Sequence, residues 1–261
     1  MMVTVLTATY NRRHLLPRLA SSLVIQTDKD FEWLIVDDGS NDGTDELIDA
    51  LKASSSITIK YIYKANGGKH SALNVGFEES AGEWILMVDS DDWLVPDCIQ
   101  QIKRFVTDLD ETIGAISFLR IYEDGRVIGD EHPSDLKNYI ERFERGYSGD
   151  KGDVIKKTVI DRFRFPVYDG ESFMPESPMF LWLGQNTNTK FVNFKGYVCE
   201  YQQDGLSKLS VINRHKSFLS TMFVYATQYR LLNKPILKYK AAANWWRFRL
   251  GKDVGQVSFQ P

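Results

Sequence analysis

Cysteine is scarce in this chain: Cys98 and Cys199 are the only two among 261 residues. They are too few for a disulfide scaffold and too far apart for a zinc knuckle, so a reducing cytoplasm is the simpler setting and both read as buried thiols. No apolar run approaches the ~20 residues that a membrane span requires. The short apolar start from Met1 to Ala8 has no basic residue before it and runs into Asn11-Arg12-Arg13, so it does not read as a signal peptide. A positive excess is missing too. The 32 Lys and Arg face 35 Asp and Glu, a net charge of −3, which argues against a nucleic-acid binder that works by neutralising phosphates. With 43% of residues hydrophobic and 26% charged, the composition also excludes disorder and collagen-like repetition. A chain of this size can bury roughly 70–75% of its unfolded surface.

The small net charge conceals a split. Residues 1–204 hold 22 basic and 34 acidic side chains, a net of −12, whereas residues 205–261 hold 10 basic and 1 acidic, a net of +9. An acidic body is a poor surface for a bare polyanion, but it can hold one if a divalent cation bridges its carboxylates to the phosphates. The basic tail suits an anionic surface.

Val3 to Ala8 is short and β-branched, and Leu15, Leu16, Leu19 and Leu23 then recur at helical spacing. The alternation repeats. Trp33 to Val36 reads as a strand, Thr44 as the N-cap of a helix through Leu47, Ile48 and Leu51, and Ile57 to Tyr63 as a third strand. A helix carrying Ala72, Leu73 and Phe77 precedes a fourth strand from Trp84 to Val88. Strands and helices in turn imply right-handed crossovers and a mostly parallel sheet covered on both faces. Pro96 starts another helix, and Ala115 to Leu119 is another strand. Residues 123–170 show no clear period and read as loops and small strands. A helix around Phe180-Leu181-Trp182-Leu183, one or two strands from Lys190 to Tyr201, and helices from Ser217 to Leu250 broken at Asn233-Lys234-Pro235 complete the chain.

Ligands of such sheets bind beyond the carboxyl ends of the strands, where three polar clusters fall: Thr9-Tyr10-Asn11, Asp37-Asp38-Gly39-Ser40 and Asp89-Ser90-Asp91-Asp92. The last puts three carboxylates within four residues. Such carboxylates repel one another unless a cation compensates, and oxygen ligation suits Mg²⁺ or Mn²⁺. The structural alternative is a solvated turn in which Asp92 caps the next helix. A carboxylate fixed at Asp37-Asp38 could accept from a base N–H, or Ser40 or Asp42 could simply cap a helix. Asn66-Gly67-Gly68-Lys69 before a helix offers backbone N–H groups, a helix dipole and one ammonium to a phosphate, without the spacing of a P-loop.

In this order and spacing the clusters resemble family 2 glycosyltransferases with the GT-A fold. Thr9-Tyr10-Asn11 looks like the first nucleotide loop and Val36-Asp37-Asp38-Gly39-Ser40 like the second. Asn66 to Gly76 is similar to the N-x-G-x-x-x-A-x-N-x-G helix, and Ala81 to Asp92 to the segment that ends in the metal motif. The resemblance covers residues 3–120 well. It implies an α/β, Rossmann-like GT-A fold, a mostly parallel sheet flanked by helices with a C-terminal helical extension. Residues 1–120 would be the nucleotide-sugar-binding half, 121–204 the acceptor-binding and catalytic half of the same domain, and 205–261 a basic, aromatic extension. It further implies that Thr9, Tyr10 and Asn11 line the nucleotide pocket and that Asp38 accepts from the uracil ring. Lys69 and Ser90 would contact the donor, Asp89 the ribose or the metal, and Asp91 would ligate Mn²⁺ or Mg²⁺.

Inverting transfer also needs a carboxylate to take the acceptor proton. Glu176 stands where the family places that base, with Pro175 where Glu-Asp is frequent, so Glu171 and Asp169 stay as alternatives. A first-turn acid on a helix dipole is the structural alternative for Glu176. Tyr201 to Ser207 resembles a segment that closes over donor or acceptor, and His215 after it is either a further ligand or a surface side chain. Processive members carry Q-x-x-R-W and membrane spans, which this chain lacks, so a single-addition enzyme is implied. The expectation is metal-dependent transfer from a nucleotide-diphosphate sugar, UDP-linked, to a cell-envelope or lipid-linked saccharide. The setting is the cytoplasm at the inner face of the membrane, with no nucleic-acid partner. Arg230, Lys234, Lys238, Lys240, Arg247 and Arg249 among Tyr229, Tyr239, Trp245, Trp246 and Phe248 read either as a peripheral membrane contact or as a helix pair packed on the domain. A non-catalytic protein of the same fold is the alternative function. A phosphatase or a nucleotidylyltransferase fits less well, since Trp93 and Thr9-Tyr10-Asn11-Arg12 replace their signatures.

Overall fold

The computed structural model describes residues 2–200 and 210–253. The Tyr201 to Ser207 segment lies outside the described residues. Strand and helix alternate from the start: β1 (Val3–Thr9), α1 (Leu16–Val24), β2 (Phe31–Asp37), α2 (Thr44–Ser54), β3 (Thr58–Tyr63), α3 (Lys69–Glu79) and β4 (Trp84–Met87). There follow β5 (Trp93–Leu94), α4 (Cys98–Val106), β6 (Ile113–Tyr122), α5 (Tyr139–Arg145), β7 (Lys151–Lys156), α6 (Lys157–Ile160), α7 (Ser177–Asn186) and β8 (Asn188–Cys199). Three helices end the described chain: α8 (Ser210–Lys216), α9 (Phe218–Leu231) and α10 (Pro235–Asp253).

The described strands form one eight-stranded sheet in the order β3-β2-β1-β4-β7-β6-β8-β5. The first four in that order run parallel, and β7 is antiparallel to both β4 and β6. Consequently β4 and β6 point the same way, and the carboxyl ends of β1, β2, β4 and β6 share one edge. Successive residues of the inner strands feed opposite cores. Val3, Val5, Trp33 and Ile35 pack with Leu16, Leu19 and Leu23 of α1, Ile48 of α2 and Ile99 and Ile102 of α4. Leu6, Leu34, Val36 and Ile85 pack with Leu73 and Phe77 of α3, Met179 and Leu183 of α7 and Val224 of α9. Burial on both faces explains why these strands are continuously apolar. Each fully buried Val, Leu or Ile contributes about 1.5–3 kcal/mol, which favours this arrangement over any register slip.

Three local expectations change. Thr44 is the first residue of α2, and the N-cap is Gly43 in the left-handed region at φ 78°. Asp92 does not cap α4, whose N-cap is Asp97. The stretch 123–170 contains β7, a central strand. Its sequence, Lys151-Gly152-Asp153-Val154-Ile155-Lys156, has only two large apolar residues, because its buried ionisable groups are satisfied by partners distant in sequence. Lys151 Nζ donates to the Ile128 and Asp130 carbonyls at 2.9 and 2.7 Å, and the Tyr139 hydroxyl donates to Asp153 at 2.7 Å. Both cysteines are free and buried, as expected, and burial pushes both thiols up.

Candidate active site

The loops after β1 and β2 are tied together. Asn11, in the left-handed region at φ 51°, donates its amide to Ser40 Oγ at 2.8 Å and accepts from the Asn41 amide at 2.9 Å. Thr9 is buried with no described partner for its hydroxyl, whereas Tyr10 is 48% exposed, an open ring beside the crevice. Asp37 is buried and accepts from the Ser40 amide at 2.8 Å and the Tyr61 hydroxyl at 2.7 Å. Asp38 is buried as well. Its oxygens accept from Lys64 Nζ at 2.6 Å, the Gly67 and Gly68 amides at 3.0 and 2.7 Å, and Asn66 Nδ2 at 3.1 Å. The Asp38 carboxylate thus organises the 66–68 turn and sets the start of α3.

At the end of β4 the carboxylates are treated unequally. Asp89 pairs with Lys69 Nζ at 2.5 Å and with Arg120 Nη1 at 3.1 Å, and its amide donates to the Tyr197 hydroxyl at 2.8 Å. Burial opposes its charge, but Lys69 and Arg120 outweigh burial and hold its carboxyl well below the usual range. Asp92 is buried and reaches Arg120 at 3.5 Å. Ser90 is buried in the turn between them. Asp91 has no salt bridge among the described residues, and burial, then the neighbouring charge of Asp89, raises its pKa. A carboxylate so placed is relieved by a cation. Oxygen ligands suit Mg²⁺ or Mn²⁺, and Asp91 with Asp89 could hold one of them. Among the described residues no third acidic, His or Cys side chain joins them.

Helix α3 knits this edge of the sheet to the loop before α7 at three points. Gly68, at φ 89°, lies so close to that loop that a Cβ would stand 2.0 Å from the Ser172 carbonyl oxygen. Asn74 clasps the Phe165 backbone, donating to its carbonyl and accepting from its amide at 2.8 Å each. Between them, Lys69 Nζ lies 2.6 Å from Glu176 Oε1 while it holds Asp89. Glu176 occupies the N-cap position of α7 without capping it through its side chain. Burial opposes the Lys69 charge, yet Asp89 and Glu176 overcome it, so the ammonium persists. Of the alternatives, Glu171 accepts from the Leu219 and Ser220 amides at 2.6 and 2.7 Å, at the N-terminus of α9. Asp169 is exposed on the turn before Gly170. His215 is exposed, its ring 4.8 Å from that of Phe248.

The sequence reading missed Arg120, Tyr197 and Lys64. Arg120 is the one charged residue of the apolar strand β6, and its guanidinium lies 4.0 Å from the centroid of the Tyr197 ring. A lone cation near the carboxyl end of a buried strand was the available signal. Lys64 stands just past the end of β3, another strand end on the same edge.

Residues 4–153 match the sequence model of Glycosyl transferase family 2. Over 130 residues, 50% of this chain, the sequence is 35% identical to an uncharacterized glycosyltransferase of Rickettsia felis, of which it covers 21%. The chain spans between 21% and 50% of the length of the first curated relatives it matches. Among solved structures, residues 1–349 of S. aureus TarS in complex with UDP-GlcNAc align with a TM-score of 0.72 at 16% identity, over 99% of this chain and 77% of that one. The mannosyltransferase PcManGT from Pyrobaculum calidifontis, in complex with GDP-Man and Mn²⁺, gives 0.64 at 20% identity, over 98% and 76%. At these identities the likeness is one of fold, and it bears out the expected GT-A architecture.

Proposed function

Because the chain belongs to glycosyl transferase family 2, we propose that it transfers one sugar, with inversion, from a nucleotide-diphosphate donor, UDP-linked, to a hydroxyl of a saccharide or lipid-linked acceptor. The observation that carries this reading is Lys69, whose ammonium joins Asp89 of the donor edge to Glu176 of the loop before α7. One cation thereby sets the separation between the group that faces the donor and the group that takes the acceptor proton.

In this reading Tyr10 stacks on the base, Thr9 and Asn11 line its pocket, and Asp38 meets the uracil edge while it holds the 66–68 turn. Lys69 and Ser90 face the diphosphate, and Asp89 the ribose. Asp91 and Asp89 would hold Mn²⁺ or Mg²⁺, which supplies Lewis-acid stabilisation of the departing nucleotide diphosphate. Glu176 accepts the proton of the acceptor hydroxyl as that oxygen attacks the anomeric carbon. With its carboxylate oxygens on the α9 amides, Glu171 serves the fold instead. Residues 1–120 form the donor half and 121–204 the acceptor half. A nucleotide-sugar donor accords with the UDP-GlcNAc bound to TarS and the GDP-Man bound to PcManGT, and the UDP-linked form follows from the motif resemblance. The expected setting is the cytoplasmic face of the cell envelope.

A panel of nucleotide-sugars with Mn²⁺ or Mg²⁺, followed by nucleotide release and thermal shift, tests the reading. Asp91→Asn is expected to abolish metal-dependent donor binding. Glu176→Gln is expected to keep donor binding and to lose transfer by on the order of 10²–10⁴-fold. Normal turnover in Glu176→Gln removes Glu176 as the base, and the absence of any thermal shift with UDP and Mn²⁺ removes the donor assignment.

A further inference from the structure

Helix α10 has two different faces. On one, Leu237 packs on the cluster of Ile140, Leu181, Leu231 and Leu232, Ala241 is buried, and Phe248 stacks on Tyr225 of α9 with ring centroids 5.7 Å apart. The opposite face is apolar as well. Ile236 is 59% exposed, Tyr239 71%, Trp246 56% and Leu250 58%, with Ala243 exposed between them. Steps of three and four residues place these five on one stripe, roughly 21 Å long at the rise of an α-helix. At about 100° per residue, Lys240 and Arg247 fall along one border of the stripe and Lys238 and Arg249 along the other. No Asp or Glu occurs from Pro235 to Lys252.

We propose that this stripe docks on an anionic lipid bilayer, with Ile236, Tyr239, Trp246 and Leu250 entering the headgroup region and the four bordering cations pairing with lipid phosphates. Amphipathic Tyr and Trp rings beside aliphatic side chains suit the boundary between headgroups and acyl chains, and basic side chains on the flanks suit its negative potential. Among the described residues no helix is long and apolar enough to cross a membrane, so the contact is peripheral. A twofold pairing of two copies through the stripe would set the cations of one against those of the other, which disfavours self-association here.

The docking would also orient the crevice. Glu171 accepts from the Leu219 and Ser220 amides of α9, and the Phe173 amide donates to Ser217 Oγ at 3.1 Å. The loop that carries Glu176 is therefore fastened to the layer that meets the lipid. This inference goes beyond the transferase reading and does not rest on it, because lipid binding is measured without donor or acceptor.

The test is co-sedimentation of the full chain with vesicles of phosphatidylcholine alone or mixed with phosphatidylglycerol, at low and high salt. The wild type is expected to sediment with the anionic vesicles at low salt and to be released at high salt. Trp246→Ser with Leu250→Ser should abolish binding. Lys240→Glu with Arg247→Glu should weaken it by more than about tenfold, since each cation near an anionic surface contributes about fivefold. All four side chains are solvent-facing, so both double variants should match the wild type in circular dichroism and melting. Absence of wild-type binding, or equal binding by wild type and both variants, overturns the proposal. A concentration-dependent dimer in sedimentation equilibrium that Trp246→Ser dissolves also overturns it, by showing that the stripe joins two copies.

Discussion

Two residues outside the proton-transfer chemistry carry sharp physical consequences. Gly68 must be glycine for two reasons, its φ of 89° and the Ser172 carbonyl that a Cβ would meet at 2.0 Å. Gly68→Ala should cost on the order of 2 kcal/mol in denaturant melts. It should also lower transfer, because the same approach seats Lys69 against Glu176. His132 is buried against Phe191, ring centroids 4.9 Å apart, and neither of its ring nitrogens has a partner among the described residues. Burial first, then the charges of Lys151 and Arg142, push its pKa down to about 3. The folded value lies below the unfolded ~6.5, so under acid the unfolded chain takes up a proton that the folded chain refuses. The contribution is full above the unfolded value and is lost as the pH falls toward the folded one. At about pH 5 this group alone costs on the order of 2 kcal/mol. His132→Phe keeps the ring stacking and removes the titration, so the fall in Tm between pH 8 and 5 should shrink; an unchanged fall refutes the assignment.

Among elements, α3 and α9 matter most because each grips the loop between α6 and α7. Glu171 supplies both oxygens to the first amides of α9, where a negative charge also complements the helix dipole. Glu171→Ala should therefore destabilise the protein by about 1–2 kcal/mol. Below its melting temperature the variant should retain transfer within about threefold, unlike Glu176→Gln. A collapse of kcat in Glu171→Ala with Tm unchanged would assign the proton transfer to Glu171. Asn74 shows how an element can be read correctly while its purpose stays hidden. The N-x-G pattern marks it plainly, yet its two bonds to Phe165 span 91 residues and no local pattern announces them.

For the whole molecule, the opposed charges of body and tail underlie the two proposals, a nucleotide-sugar on the acidic edge and a lipid surface on α10. If Asp91 and Asp89 take the diphosphate through a cation, as proposed, chelation should act as a switch on donor binding. UDP with Mn²⁺ at about a hundred times its Kd should add about 2.7 kcal/mol, a rise in Tm of roughly 5–10 °C. EDTA should abolish that rise, as should Asp91→Asn; a full rise in EDTA removes the metal from the donor site.

The alternation of short apolar runs and helical spacing up to residue 120 was enough to mark β1 to β4 and β6 and the edge where polar loops gather, since each of those is a local consequence of period and burial, but not the two-residue β5, which exists only through its pairing with β8. Asp89 and Asp91 were legible as a carboxylate cluster because the end of an apolar strand is marked in the chain itself, whereas Glu176 was singled out by the family resemblance. Only the tertiary structure decided that Lys151-Gly152-Asp153-Val154-Ile155-Lys156 is a central strand, because its buried Lys151 and Asp153 are hydrogen-bonded by backbone carbonyls and a tyrosine hydroxyl that lie elsewhere in the chain. It also decided that Arg120 and Lys69 share Asp89, that Lys69 reaches Glu176, and that one face of α10 is left to solvent. Pairings of this kind depend on which strand ends become neighbours, and spacing along a chain carries no record of that.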